Sequence, residues 1–144
     1  MKLDVFDYPD ELKYTKGHIW VKEKAGSATI GVTSLGASLA KEIVHIDLPE
    51  DGEKYAAGKP IATYETIKSV SEITLPFACK INKINEKLLD NPSLINSDCY
   101  GDGWIVKVLI SESDVKDLLD VNEAVKNYKK ILDKEKERYK GIYD

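Results

Sequence analysis

Lys68 lies between two runs of strand-forming residues, Tyr64-Glu65-Thr66-Ile67 and Ser69-Val70-Ser71-Glu72-Ile73, with neither glycine nor proline to mark an ordinary loop. Two strands meeting there put Lys68 at the apex of a hairpin, its amine carried away from the sheet on a flexible four-carbon stem. Such an amine suits covalent attachment of a group by a modifying enzyme. Taken without its context it is an exposed turn lysine in a lysine-rich chain whose only arginine is Arg138. Sulfur and imidazole groups are few. Cys79 and Cys99 cannot make a disulfide framework for 144 residues, and in a reducing compartment they stay thiols. With His18 and His45 they are the donor types of a zinc set, but no pair has ligand spacing, so packed or surface histidines are expected. There is no glycine-rich phosphate loop and no nucleophile elbow, and the 25 acids are scattered without a distinct catalytic pair.

The elements that must position Lys68 are strands. Ile19–Val21, Ala28–Val32, Ile43–Leu48, Ile61–Ile67, Val70–Leu75, Cys79–Ile84 and Trp104–Ile110 are rich in β-branched and aromatic residues and partly alternate. Turn residues separate them at Ala25-Gly26-Ser27, Pro49-Glu50-Asp51-Gly52, Ala57-Gly58-Lys59-Pro60 and Gly101-Asp102-Gly103, at spacings expected of a sandwich or small barrel. Thr33 to Glu42 reads as a brief helix capped by Thr33 or Ser34, with Leu35, Leu39 and Ala40 facing inward. A second short helix is expected over Asn85 to Leu89. After Ser111, apolar residues from Val115 to Leu132 recur at three- and four-residue steps, which predicts a helical tail with a solvated, charged end from Asp133 to Asp144. Trp20 and Trp104 are expected to fill the core. The chain is expected to fold as a single domain, residues 1–144, with a core over about 12–119 and a C-terminal helical extension over about 120–144.

Composition narrows the partners. Hydrophobic residues at 42 % and charged residues at 32 % allow a buried core and argue against disorder. A net charge of -4 removes the general electrostatic reason to expect nucleic acid. No apolar run approaches the roughly 20 residues of a membrane span. Asp4, Asp7, Asp10 and Glu11 occupy the place where a secretory signal needs a basic start and an apolar stretch, so the expected location is cytoplasmic.

Glu65-Thr66-Ile67-Lys68, followed by Ala78-Cys79-Lys80-Ile81, resembles the lipoylation hairpin and its matching strand in lipoyl domains, most closely the H-protein of the glycine cleavage system. Tyr14-Thr15-Lys16-Gly17-His18-Ile19-Trp20-Val21, Ala28 to Thr33, Asp47-Leu48-Pro49-Glu50-Asp51-Gly52, Leu94-Ile95-Asn96 and Tyr100 to Lys107 follow in that family's order and spacing. The likeness covers about Leu12 to Leu119. It implies a mostly β (α+β) fold, a lipoyl-domain-like β-sandwich or barrel-sandwich hybrid with short helices and a C-terminal helical extension. It also implies a non-catalytic carrier with lipoic acid in amide linkage to Lys68, and a role for Glu65 in recognition by the modifying enzyme, a lipoate ligase or lipoyl transferase. Biotin carriers share the fold but normally set their lysine between methionines, whereas Lys68 has Ile67 and Ser69 as neighbours and the only methionine is Met1. The dithiolane of such an arm opens to two thiols, accepts electrons and holds a transferred group. The expected partners are the glycine cleavage P-, T- and L-proteins, met by a monomer through weak, exchangeable interfaces.

Three positions depart from the family. Ile19 stands where an acidic residue shelters the cationic aminomethyl cargo, leaving Glu72 as an arm contact from the other side of the hairpin. Cys79 replaces a usual glycine and Cys99 a proline, so each is either a small buried hydrophobe or a thiol that exchanges with the arm. H-like lipoyl proteins of bacterial sulfur oxidation serve a heterodisulfide-reductase-like complex. The departures therefore leave two cargoes open, aminomethyl or sulfur, beside the alternative of an unmodified H-like interaction module.

Overall fold

A computed structural model of the chain describes residues 1–3 and 5–138. Short β-rich runs that turn alternate apolar residues to one side can be buried only by stacking one sheet on another. In chain order the strands are β1 (Lys2–Leu3), β2 (Phe6–Asp7), β3 (Lys13–Tyr14), β4 (Ile19–Lys24), β5 (Ser27–Val32) and β6 (Ile43–Asp47). They continue with β7 (Lys54–Tyr55), β8 (Pro60–Thr66), β9 (Val70–Thr74), β10 (Cys79–Ile84) and β11 (Val106–Leu109). A six-stranded sheet runs β3-β4-β5-β11-β10-β7 and a three-stranded sheet runs β6-β8-β9, with antiparallel pairing throughout. Val21, Ile30 and Val108 from the larger sheet meet Ile46, Ala62 and Ile73 from the smaller in one buried cluster.

The expected strands all appear, within a residue or two at their ends except that β4 runs three residues further, to Lys24, and the last is shortened at both ends. It begins at Val106, and Trp104 before it is half-buried with the Lys107 ammonium 5.3 Å from its ring, so only Trp20 of the two tryptophans is buried. Five helices are described: α1 (Ser34–Ala40), α2 (Lys87–Asp90), α3 (Leu94–Ser97), α4 (Glu112–Lys116) and α5 (Val121–Arg138). Thr33 caps α1, its Oγ1 accepting the Gly36 amide at 3.1 Å. Leu35 and Ala37 are buried, but Leu39, expected to face inward, is 41 % exposed because the short helix turns that side toward an open cleft. The second short helix begins two residues later than expected. Asn85 is instead buried, and its Nδ2 donates to the carbonyls of Asp102 at 2.7 Å and Trp104 at 2.6 Å, pinning the loop that leads into β11.

The tail is two helices rather than one. Between them Leu119 forms a β-bridge to Tyr14, with two backbone hydrogen bonds of 2.8 Å. α5 restarts after Asp120, whose Oδ1 accepts the Glu123 amide at 2.8 Å. Val121, Ala124 and Tyr128 of α5 close a second buried cluster over Tyr8, Tyr14, Trp20 and Leu35. The hairpin β1–β2, unforeseen in the sequence, lies beside this cluster and contributes Leu3. Residues 139–144, at the charged end expected to be solvated, lie outside the described residues.

Trp20 belongs to this second cluster. It lies opposite Gly31 on the neighbouring strand, and its Nε1 donates to the Cys99 carbonyl at 2.9 Å. A Cβ on Gly31 would collide with the Trp20 indole. Gly31→Ala is therefore expected to cost about 1–3 kcal/mol, read as a fall of several degrees in the thermal unfolding midpoint, and a midpoint equal to wild type would contradict this packing.

Candidate functional site

A two-residue hairpin loop normally uses positive φ to match strand twist. Neither Ile67 nor Lys68 has one. The turn is held by Thr66 instead: its amide donates to the Ser69 carbonyl at 2.9 Å, and its Oγ1 accepts the amides of Lys68 at 3.3 Å and Ser69 at 3.2 Å. A threonine hydroxyl thus supplies the fastening that glycine geometry would otherwise provide. Its signal in the sequence is a threonine two residues before the lysine.

Lys68 is exposed at this tip and takes part in no ion pair among the described residues. Its flanks are apolar and open to solvent, Ile67 at 84 % and Val70 at 64 % exposure. Glu65 is half-buried on β8, in register with His45 on one side and Val70 on the other. Glu72 is exposed on β9, opposite Thr63. The one hairpin therefore carries Lys68, Glu65 and Glu72.

Beside the tip opens a cleft of about 210 Å³. Ser69, Ser71 and Glu72 form its hairpin side, Gly36, Leu39 and Ala40 of α1 another, and Gly17, His18 and Ile19 a third. Glu72 is the only carboxylate in its lining, and Ile19 presents hydrocarbon across from it. Sequence reasoning missed His18 as a cleft residue. It holds a left-handed backbone at φ 65, and burial lowers its pKa, so the imidazole is neutral at physiological pH.

The cysteines lie elsewhere. Cys79 is buried where β10 meets β7, and Cys99 is buried beside Trp20. Burial pushes both thiols up to about 11, helped by the charges of Asp114 and Asp98 respectively, so both stay protonated at neutral pH. Neither lines the cleft. Both cysteines pack as small, buried groups, the geometry of the small-hydrophobe reading, and Cys79 also borders a separate open pocket with Tyr55 and Asp114. Among the described residues no group of three or more histidine, cysteine or acidic side chains is placed to hold a metal, so the four zinc-type donors are not gathered. No described helix is long and apolar enough to cross a membrane.

The family model described as Glycine cleavage H-protein matches residues 12–131. The chain belongs to this family. It is 40 % identical over 129 residues to the glycine cleavage system H proteins of Shewanella frigidimarina (strain NCIMB 400) and Shewanella oneidensis, a match spanning 88 % of this chain and 97 % of those proteins. A crystal structure of a glycine cleavage system H protein from Mycobacterium marinum superposes with a TM-score of 0.76 at 29 % identity, covering 84 % of this chain and 98 % of that one. The fold is a lipoyl-domain-like β-sandwich. H-proteins carry lipoic acid covalently on a lysine, serve as non-catalytic carriers and interact with the P-, T- and L-proteins. An exposed, uncommitted amine with a cleft next to it fits such a group.

His18 gives this H-protein a pH signature. The unfolded chain takes up a proton below the usual value of 6.5, while the folded chain resists it. This contribution to stability is whole above 6.5 and is lost as pH falls toward the lowered folded value. Between about pH 7.5 and 5.5 the unfolding midpoint should fall less steeply in His18→Asn, which tolerates positive φ but does not titrate, than in wild type. Parallel pH profiles for the two proteins would refute the assignment.

Proposed function

We propose that Lys68 is the lipoylated lysine, that Glu65 is read by the lipoate ligase or lipoyl transferase that modifies it, and that Glu72 is the carboxylate that meets the cargo. The observation that carries this reading is the exposed Lys68 amine, on a turn whose backbone Thr66 fastens, beside a cleft whose only lining carboxylate is Glu72. When bound, the lipoyl group supplies a dithiolane that opens to two thiols, takes up two electrons and carries an aminomethyl group in glycine cleavage. Amide formation removes the Lys68 charge, so the arm does not pair with nearby acids. Glu72 offers a cationic amine a charge-assisted hydrogen bond. Ile19, Val32 and Leu39 give the stem apolar surface and exclude water. Ile67 and Val70 are apolar contacts for an enzyme docked at the tip. Tethering raises the arm's effective concentration at each docked protein, so affinities for P-, T- and L-proteins stay weak enough for exchange. A reducing, cytoplasmic setting keeps both the arm and the free cysteines in their working states.

Ile19, an apolar residue where the family shelters a cation, favours a second reading in which the cargo is sulfur destined for a heterodisulfide-reductase-like complex. Adduct masses separate the two. Lipoylated protein with its arm in the oxidised, dithiolane form, incubated with glycine and P-protein, is expected to gain an aminomethyl increment as the ring disulfide opens and carbon dioxide leaves, and the reduced form incubated with thiosulfate and a sulfurtransferase is expected to keep its mass unchanged. The reverse pattern transfers the assignment to sulfur.

Intact-mass measurement after expression in a lipoate-competent host should find one lipoyl increment on the Lys68 peptide, abolished by Lys68→Arg. An unmodified wild-type chain would leave an interaction module as the function. Glu65→Ala should slow lipoylation roughly tenfold, and Glu72→Gln should shorten retention of the amine by a similar factor, the worth of one hydrogen bond to a charged group. Unchanged rates would remove those two residues from the site.

A further inference from the structure

The cleft wall formed by Gly17, His18 and Ile19 belongs to a tight loop whose ends are tied together, the Thr15 amide donating to the Ile19 carbonyl at 2.9 Å. No strand of either sheet contains Gly17 or His18. What holds this loop comes from the other end of the chain. The Tyr128 hydroxyl of α5 donates to the Thr15 carbonyl, and its ring stacks on His18 with centroids 4.9 Å apart and planes at 24°. Tyr128 also stacks on Tyr8 at 5.4 Å; both tyrosines are buried and His18 is half-buried.

We infer that Tyr128 is a positioning residue for the cleft: it grips the Thr15–Ile19 loop at two points, so that docking of the C-terminal helix sets the shape in which an arm on Lys68 is received. Three observations connect the grip to the cleft. His18 keeps a left-handed backbone, which a non-glycine residue adopts only under constraint from its surroundings. Its carbonyl accepts the Thr33 amide at 2.8 Å, so the same residue fixes the capping position of α1. Its Cβ lies so close to α1 that a Cβ on Gly36 would meet it at 2.6 Å, which leaves the helix no room to move inward. Two of the three cleft walls therefore lean on His18, and His18 leans on Tyr128. The His18 Nδ1 is buried without a hydrogen-bond partner, so stacking, rather than a hydrogen bond from the imidazole, holds the ring. Burial keeps the Tyr128 phenol neutral and able to donate.

This inference rests on the assignment of Lys68 and the cleft above, and its test separates the two. Amide hydrogen exchange is measured on the unlipoylated full chain for wild type, Tyr128→Leu and Tyr128→Phe. In Tyr128→Leu the Thr33 amide should exchange at least about tenfold faster, while the Ile105 amide, bonded to the Ile30 carbonyl inside the sandwich, keeps its rate. Tyr128→Phe retains the stack and loses the hydroxyl, and should fall between the two. Equal acceleration at Thr33 and Ile105 would show a general loss of stability and overturn the inference, as would an unchanged Thr33. Lipoylated forms are then compared: Tyr128→Leu should accept lipoate at the wild-type rate, since the tip is untouched, yet lose a bound amine several-fold faster. A wild-type chain that takes no lipoate defeats the proposed function alone and leaves the exchange result to decide the role of Tyr128.

Discussion

A lysine can be presented at a fixed place in solvent only if the strands beneath it cannot slide. Here the constraint is burial of one face of β8 and β9 against the six-stranded sheet, with Ala62 and Ile73 directly paired and both turned into the core. A slip of one residue would turn Ile73 to solvent and Glu72 inward, exchanging apolar burial for an unpaired charge. Register is therefore strongly specified, and the position of Lys68 follows from it. Thr66 then needs only to close the last turn, which it does through its own hydroxyl.

The strands of the sandwich are legible in the sequence because each carries its own alternation and its own flanking turn residues. Lys68 is legible by the absence of glycine and proline around it and by the motifs that surround it. Other features depend on partners distant in the chain. Leu119 continues the three- and four-residue apolar rhythm of the tail, so nothing local announces that it leaves the helix to bridge Tyr14. Two-residue strands such as β1 and β2 are too short for a period to register. Leu39 has the spacing of an inward residue but lines the open cleft, which no local pattern announces. His18 gives no signal of its own, since its conformation is imposed by Tyr128, 110 residues later in the numbering.

The division of labour in the cleft follows from what is buried and what is not. The hairpin side offers hydroxyls and a carboxylate, and the facing walls offer hydrocarbon and a neutral imidazole. That asymmetry suits a group that is apolar along its stem and cationic at its end. The aromatic cluster under α5 lies outside the sandwich and bears on the cleft through one loop. The second cluster is thus more than a cap on the first.

A carrier whose cargo rides on sulfur faces a hazard from its own side chains. Any accessible thiolate on the body would capture the oxidised arm as an internal mixed disulfide and short-circuit the shuttle before it met another protein. Cys79 and Cys99 lie largely buried in separate parts of the fold, away from the cleft, and burial raises both thiols, which disfavours that reaction.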